Sequence, residues 1–161
     1  MPRKTGKVKG KSSGCRGSRG RPDPWQAAIY GFEDDWPEAC ADSLTIRQCE
    51  TLIKLACAAY GLAAPPVKLD PRAKLSYCYA DGSGIYLIKT QRNKFVALHE
   101  VTHYIVDRIY GAEPEDHGFE FQAVYFFLLS RAEIAPICAL QASAKERGLL
   151  WRTAGPADLK K

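Results

Sequence analysis

The chain has 161 residues, of which 46 % are hydrophobic and 25 % charged, and a formal net charge of +5. This length fits one globular domain with a buried core, and the composition is ordinary for a soluble protein. No apolar run approaches the roughly 18 residues of a transmembrane helix, and no apolar core follows the basic N-terminus as it would in a secretory signal. We therefore expect a cytoplasmic protein without a membrane partner.

The positive charge is concentrated in an N-terminal tail, residues 1–24. This tail contains eight Lys and Arg residues and one acidic residue, whereas the rest of the chain has 15 basic and 17 acidic residues. Because it is rich in Gly and Ser and has little to bury, we predict that it is disordered. Such a tail either binds nucleic acid weakly, in a salt-sensitive manner, or only keeps the chain in solution. A folded domain over 25–151 and a flexible tail over 152–161 complete the predicted organisation.

The six cysteines predict no disulfide framework and no zinc ribbon. No two of them form a C-x-x-C pair, which is the usual ligand spacing of a ribbon. Cys49 and Cys57 fall on the apolar side of a predicted helix and Cys78 in a predicted strand. We expect them to be reduced thiols that pack as small hydrophobic side chains.

The first predicted elements lie between residues 25 and 70. Residues 25–43 carry scattered aromatic and aliphatic side chains, which we expect to dock on the body through a short helix. A regular amphipathic helix follows from Leu44 to Tyr60, with Thr45 and Gln48 as its capping box and Gly61 as its end. The prolines of "APPVKLD" then predict an extended segment.

The second half of the chain predicts a hairpin followed by three helices. Strands near 74–80 and 84–89 flank the turn sequence "DGSG". A helix of about 20 residues, capped by Thr90, ends at Gly111. A second apolar helix follows His117, and a last one spans 136–147. Together these elements predict an α+β fold in which a small, mostly antiparallel sheet packs on a helical layer.

The sequence "HEVTH" on the first of these helices predicts a metal site. His99 and His103 are four residues apart, so both imidazoles face the same side and can bind one ion. Glu100 is rotated about 100° from His99, so it can reach a water held by the metal and act as its general base. Zinc would make that water acidic near neutral pH.

A catalytic zinc ion needs a third protein ligand and one open position. The chain has three histidines, so His117 in "EDHGFEF" is the favoured third ligand. Glu120, one turn further on, is the alternative. Asp116 is a candidate for orienting a histidine through a hydrogen bond, although it could equally be a plain loop residue.

The sequence "HEVTHYIVDRIYG" with the later "HGFEF" resembles the SprT-like zinc metallopeptidases, in which HExxH is followed by a histidine in an HGxxF-type context. It also resembles uncharacterised bacterial metallohydrolases with HGxEF after HExxH. The metzincin pattern is not met, because Val106 stands where that pattern has glycine. The resemblance covers about 90 residues and implies a minimal zincin-like fold, zinc on the three histidines and Glu100 as general base.

The same resemblance implies a peptide-binding rim and an oxyanion-stabilising group. The strand "IYLIK" would pair with an extended substrate. Four tyrosines are candidates for the oxyanion, and the sequence does not distinguish among them: Tyr79, Tyr104, Tyr110 and Tyr125.

These observations predict a zinc metallopeptidase-like hydrolase, in which Glu100 activates a zinc-bound water to attack a peptide bond of a protein or peptide substrate. One alternative is a zinc hydrolase that acts on a non-peptide bond. The other is a nucleic-acid-associated binding protein in which the metal only joins two helices.

Overall fold

The computed structural model describes residues 23–79, 83–90, 92–111 and 114–158. These ranges contain six helices and three short strands, which confirms the predicted α+β class. The predicted basic tail lies outside the described residues except for Asp23 and Pro24. Within the described part of the chain, no helix is both long enough and apolar enough to cross a membrane.

The segment after Pro24 forms two helices, α1 (Gln26–Asp34) and α2 (Pro37–Ala41). Ile29 and Phe32 are three residues apart on α1, so they share a face, and both are fully buried. This burial confirms that the segment docks on the body. It also fixes the direction in which the other side chains of α1 point.

The third helix, α3 (Ile46–Ala59), begins with the predicted capping box: Thr45 and Gln48 satisfy each other's backbone N–H groups. The helix ends before Gly61, whose φ of 69° is a conformation that glycine adopts at little cost. Its buried face includes Cys49 and Cys57, and all five cysteines in the described residues are free, as predicted.

The sheet is small and mixed. It consists of β1 (Val67–Leu69), β2 (Tyr77–Cys78) and β3 (Ile85–Leu87), in the order β1-β3-β2. The predicted hairpin is confirmed, since β2 and β3 pair antiparallel with Tyr77 opposite Tyr86. However, β1 pairs parallel to β3, so the prediction of a mostly antiparallel sheet is wrong.

The strand in "IYLIK" cannot serve as the expected rim for a peptide. It is β3, the central strand, and both of its sides are already paired within the sheet. The edge strands are β1 and β2, and β2 is one of the strands that pack on the helix bearing His99.

That helix, α4 (Lys94–Tyr110), occupies the centre of the fold and packs against α3, α5 and the sheet. Its N-cap is Asn93 rather than the predicted Thr90: the Asn93 side chain accepts a hydrogen bond from the Val96 N–H (2.9 Å) and donates one to the Cys40 carbonyl (3.2 Å). This tertiary contact with α2 holds residue 93 outside the helix. Gly111 ends α4 as predicted.

Two further helices complete the fold, α5 (Phe119–Arg131) and α6 (Ile137–Glu146). Pro136 precedes α6 and Gly148 follows it with a φ of 72°, as the sequence predicts. Part of the predicted C-terminal tail packs on this body, because the Ala154 carbonyl accepts a hydrogen bond of 2.8 Å from Tyr60.

Candidate metal centre

Three histidines converge at the junction of α4 and α5. His99 and His103 lie one turn apart on α4, and His117 lies two residues before α5. The Nε2 atom of His99 is 3.2 Å from that of His103 and 3.1 Å from that of His117. In the described part of the chain, these three form the one group of potential metal ligands, with their ligating atoms within 4.8 Å of one another.

Two carboxylates contact the Nδ1 atoms of His99 and His117, on the opposite side of each ring from Nε2. Glu33, on α1, contacts the Nδ1 atom of His99 at 2.8 Å and also accepts a hydrogen bond from the Tyr125 hydroxyl at 2.6 Å. Asp23 contacts the Nδ1 atom of His117 with one oxygen and accepts the Trp25 backbone N–H with the other. The Asp23 and His117 side chains are only 6 % and 3 % exposed.

These contacts determine where the imidazole protons lie. A carboxylate oxygen only accepts hydrogen bonds, so the ring proton of each histidine is assigned to Nδ1. In the neutral form the Nε2 atoms of His99 and His117 therefore point lone pairs at each other across 3.1 Å. Such an arrangement is repulsive unless a proton or a metal cation lies between the two nitrogens.

The spacing of the nitrogens suits a small divalent ion. Two nitrogens on one tetrahedral zinc, at Zn–N distances near 2.05 Å, stand roughly 3.3 Å apart. The separations of 3.1 and 3.2 Å in the histidine cluster are close to this value. The two carboxylates behind the rings are the partners that ligating histidines generally require.

Burial and neighbouring charges keep two of the imidazoles neutral. Burial, with the adjacent His99 and His117, lowers the pKa of His103 well below its ordinary value. Burial and His99 also lower the pKa of His117, to about 4, against the effect of Asp23. For His99 burial acts in the same direction, but Glu33 and the more distant carboxylates raise its pKa overall. His99 is therefore the imidazole of the cluster that is most readily protonated.

Glu100 is buried beside the histidines, with 5 % of the residue exposed. A backbone N–H of Cys78 hydrogen-bonds the carboxylate, but the Oε2 atom has no partner among the described residues. Burial raises the pKa of Glu100 to about 7, His99 lowers it and Glu33 raises it. A buried carboxylate oxygen without a partner is costly for folding, so a ligand is the expected partner.

A cavity of about 430 Å³ adjoins the cluster, and both His99 and Glu100 line it. Helical spacing explains how α1 and α4 contribute to its wall. Tyr30, Glu33 and Asp34 follow an i, i+3, i+4 pattern on α1, and Val96, His99 and Glu100 do so on α4.

The structure distinguishes among the candidates that the sequence left open. His117, and not Glu120, joins the two α4 histidines in the ligand group. The Asp116 side chain makes no hydrogen bond to a histidine among the described residues, and Asp23 takes that role for His117. Burial and the charge of Asp23 raise the pKa of Asp116 to about 6.

A tyrosine outside the four predicted candidates, Tyr30, lies beside two of the histidines, while the ring of the predicted Tyr125 lies 5.8 Å from that of His99. The Tyr30 ring lies 5.7 Å from that of His99 and 5.9 Å from that of His117. By contrast, the Tyr104 hydroxyl donates to the Ala63 carbonyl, and the Tyr125 hydroxyl to Glu33. Tyr79 packs in a group with Tyr77 and Tyr86 on the sheet.

Sequence reasoning missed Asp23, Tyr30 and Glu33. A signal for Glu33 was present: it follows the apolar Ile29 by four residues, so a helix through this segment places it on the same side as Ile29. No comparable signal marks Asp23, which the charge pattern grouped with the basic tail. No protein-family model, curated protein or solved structure matches the chain.

The contact between Glu33 and His99 gives a testable expectation for metal affinity. Glu33→Gln removes the charge that fixes the His99 ring, and loss of such a carboxylate typically weakens metal binding roughly 10–100-fold. Tyr125→Phe is the matched control, because it removes a hydrogen bond to Glu33 and leaves the carboxylate in place. Zinc competition titrations against a chromophoric chelator measure both variants, and equal affinity of Glu33→Gln and wild type would contradict this role.

Proposed function

We propose that the chain is a zinc-dependent, metallopeptidase-like hydrolase with a zincin-like domain. His99, His103 and His117 hold the ion, and Glu100 acts as the general base. The observation that carries the proposal is the convergence of three Nε2 atoms, two of them backed by carboxylates. Next to them lies a buried glutamate oxygen that has no partner among the described residues.

The ligand set fits zinc better than the harder divalent cations. Imidazole nitrogen suits zinc and other transition metals, whereas calcium and magnesium prefer oxygen ligands. Three protein nitrogens leave one position free on a tetrahedral ion, which is typical of catalytic and not of structural zinc sites. When bound, zinc supplies Lewis-acid chemistry and makes water acidic near neutral pH.

The residues around the ligands would then act as the general base, as orienting groups for the histidines and as a stabiliser of negative charge. Glu100 has a pKa raised to about 7, so its carboxylate can accept a proton from the attacking water and pass it to the leaving group. Glu33 and Asp23 keep the rings of His99 and His117 oriented with Nε2 toward the ion. Tyr30, beside both rings, is the tyrosine best placed to stabilise a developing negative charge on the substrate oxygen.

The Oε2 atom of Glu100, which has no partner within the described ranges, supports this proposal over the structural-metal alternative. A metal that only joins α4 to α5 does not require a buried carboxylate beside it. Such a carboxylate, with one oxygen unpartnered among the described residues, lowers the stability of the fold. The second alternative, a zinc hydrolase with a non-peptide substrate, would use the same groups. Only substrate screening separates it from a peptidase.

The direct experiment is metal analysis combined with a hydrolysis assay on the full chain. We expect one equivalent of zinc per chain and cleavage of unfolded casein that stops on treatment with 1,10-phenanthroline and returns with added zinc. A panel of small amides and esters would detect a non-peptide activity. Cleavage that continues in fully zinc-free protein, or a folded protein that binds no divalent ion, would refute the proposal.

A further inference from the structure

The cavity beside the histidine cluster has a composition that selects a class of substrate side chain. It has a volume of about 430 Å³, which lies in the lower part of the range for small-ligand pockets. His99 and Glu100 belong to its wall, so a group bound there is next to the reacting atoms of the proposed hydrolase. Its occupant would therefore belong to the substrate.

The polar part of this cavity is acidic. Glu33, Asp34 and Glu100 line it, and among the residues that the structure describes no Lys or Arg does. Asp34 lies at an exposed position of α1. Burial raises the pKa of Cys40, which is also in the wall, and the charges of Glu33 and Asp34 raise it further. Arg147 is near enough to Asp34 for that carboxylate to raise its pKa, but its guanidinium donates hydrogen bonds to Asp35, which lies outside the wall.

The remaining wall includes apolar surface. Leu75 from the segment before β2, and Phe95 and Val96 from the first turn of α4, line the same cavity. Leu75 is 62 % exposed, so its side chain stands at an open boundary. A space with apolar walls and acidic groups matches a side chain with a methylene stem and a cationic end.

An independent observation indicates that this space is built for a ligand. The Glu100 residue is 5 % exposed, yet its Oε2 atom has no hydrogen-bond partner within the described ranges. Glu33, in contrast, is already engaged by His99 and Tyr125. Asp34 is therefore the carboxylate with the most capacity left for a cation, since no hydrogen bond involves its side chain among the described residues.

We propose that the cavity is a subsite for a lysine or arginine side chain of the substrate, with Asp34 as the main specificity-determining residue. The inference rests on the proposed function, because it places the substrate's basic side chain beside the bound zinc. The ion itself repels a cation, so a preference for a basic side chain must come from the carboxylates of the wall.

Two chelating probes test the subsite without a turnover assay. Lysine hydroxamate and norleucine hydroxamate share a zinc-binding group and a four-carbon stem, and they differ in the terminal ammonium. Calorimetric titration of the zinc-loaded full chain should show lysine hydroxamate binding roughly fivefold more tightly, the scale of one partly solvated ion pair. Residues 1–22 are present in every protein compared, so the effect of their basic side chains on each probe is shared by the wild type and the variants.

Two variants identify the source of the preference. Asp34→Asn should reduce the lysine preference about two- to fivefold, the upper part of the range for such pairs. Glu38→Gln changes the net charge equally but lies outside the cavity wall, so it should leave the preference unchanged. Raising the salt concentration should weaken the preference in the wild type.

The outcomes separate the two proposals. Equal affinity for both probes, or a preference that Asp34→Asn does not alter, would overturn the subsite while tight hydroxamate binding still supported the zinc centre. If neither hydroxamate bound the zinc-loaded chain, the open metal position would be disproved and the subsite would fall with it.

Discussion

Replacement of Glu100 by glutamine should abolish hydrolysis while the chain keeps its zinc. Glutamine is nearly the same size as glutamate but cannot accept a proton from water, and loss of a general base typically lowers the rate by two to four orders of magnitude, roughly 10²–10⁴-fold. The three imidazoles are unchanged, so zinc affinity should stay close to that of the wild type. The measurements are kcat on the best substrate and zinc content after dialysis.

The same substitution should also change how stability depends on pH. Burial raises the folded-state pKa of Glu100 from 4.5 to about 7, so the stability that this group contributes is complete below pH 4.5 and is lost as the pH rises through 7. Glutamine does not titrate. The metal-free variant should therefore gain stability relative to the metal-free wild type as the pH rises, and the difference should level off above pH 7.

A matched control is Glu50→Gln, since Glu50 is exposed on α3. It should leave kcat, zinc content and the pH dependence of unfolding unaltered. Full activity in Glu100→Gln would exclude Glu100 as the base. Two results together would support the structural-metal alternative instead: zinc removal unfolds the chain, and Glu100→Gln has no effect on any function.

The part of the site that lies within one helix follows from the sequence alone. The spacing of His99 and His103 fixes their relative position once the segment is helical, because side chains four residues apart share a face. The capping box at Thr45 and the end at Gly111 are likewise determined by neighbouring residues, and both are found as predicted. Local interactions suffice for these features.

The features that depend on distant residues were not predictable in the same way. Asp23 and His117 are separated by 94 positions, and Glu33 and His99 by 66. Only the docking of α1 on the body brings these pairs together, and no local pattern specifies it. The contact between Asn93 and the Cys40 carbonyl is also a distant one. However, asparagine is a stronger N-cap than threonine, so the expectation of Thr90 also overlooked a local signal for Asn93.

The sheet shows the same division between local and distant information. The turn sequence between β2 and β3 predicts an antiparallel pair, which forms. The pairing of β1 with β3 joins Val67 to Ile85 across an intervening strand, and no turn sets its direction. Its parallel orientation, which makes β3 the central strand, therefore had to be observed.

Loss of His117 should remove zinc binding almost completely, whereas loss of Glu120 should not. Two imidazoles cannot complete the three-ligand set of a catalytic zinc site, so His117→Ala should weaken binding by more than the roughly 10–100-fold expected for losing an orienting carboxylate. Glu120→Gln should bind zinc like the wild type, because Glu120 is outside the ligand group. Competition titration with a chelator measures both.

A second substitution separates loss of a ligand from loss of the fold. His117→Ala leaves the buried carboxylate of Asp23 without its partner, which destabilises the chain whether or not zinc binds. His117→Asn retains a donor near the position of Nδ1 but has no group at the position of Nε2. Zinc at 100 times its Kd should stabilise the wild type by about 2.7 kcal/mol and should have little effect on His117→Asn in chemical unfolding. Equal zinc stabilisation of both chains would show that His117 is not a ligand.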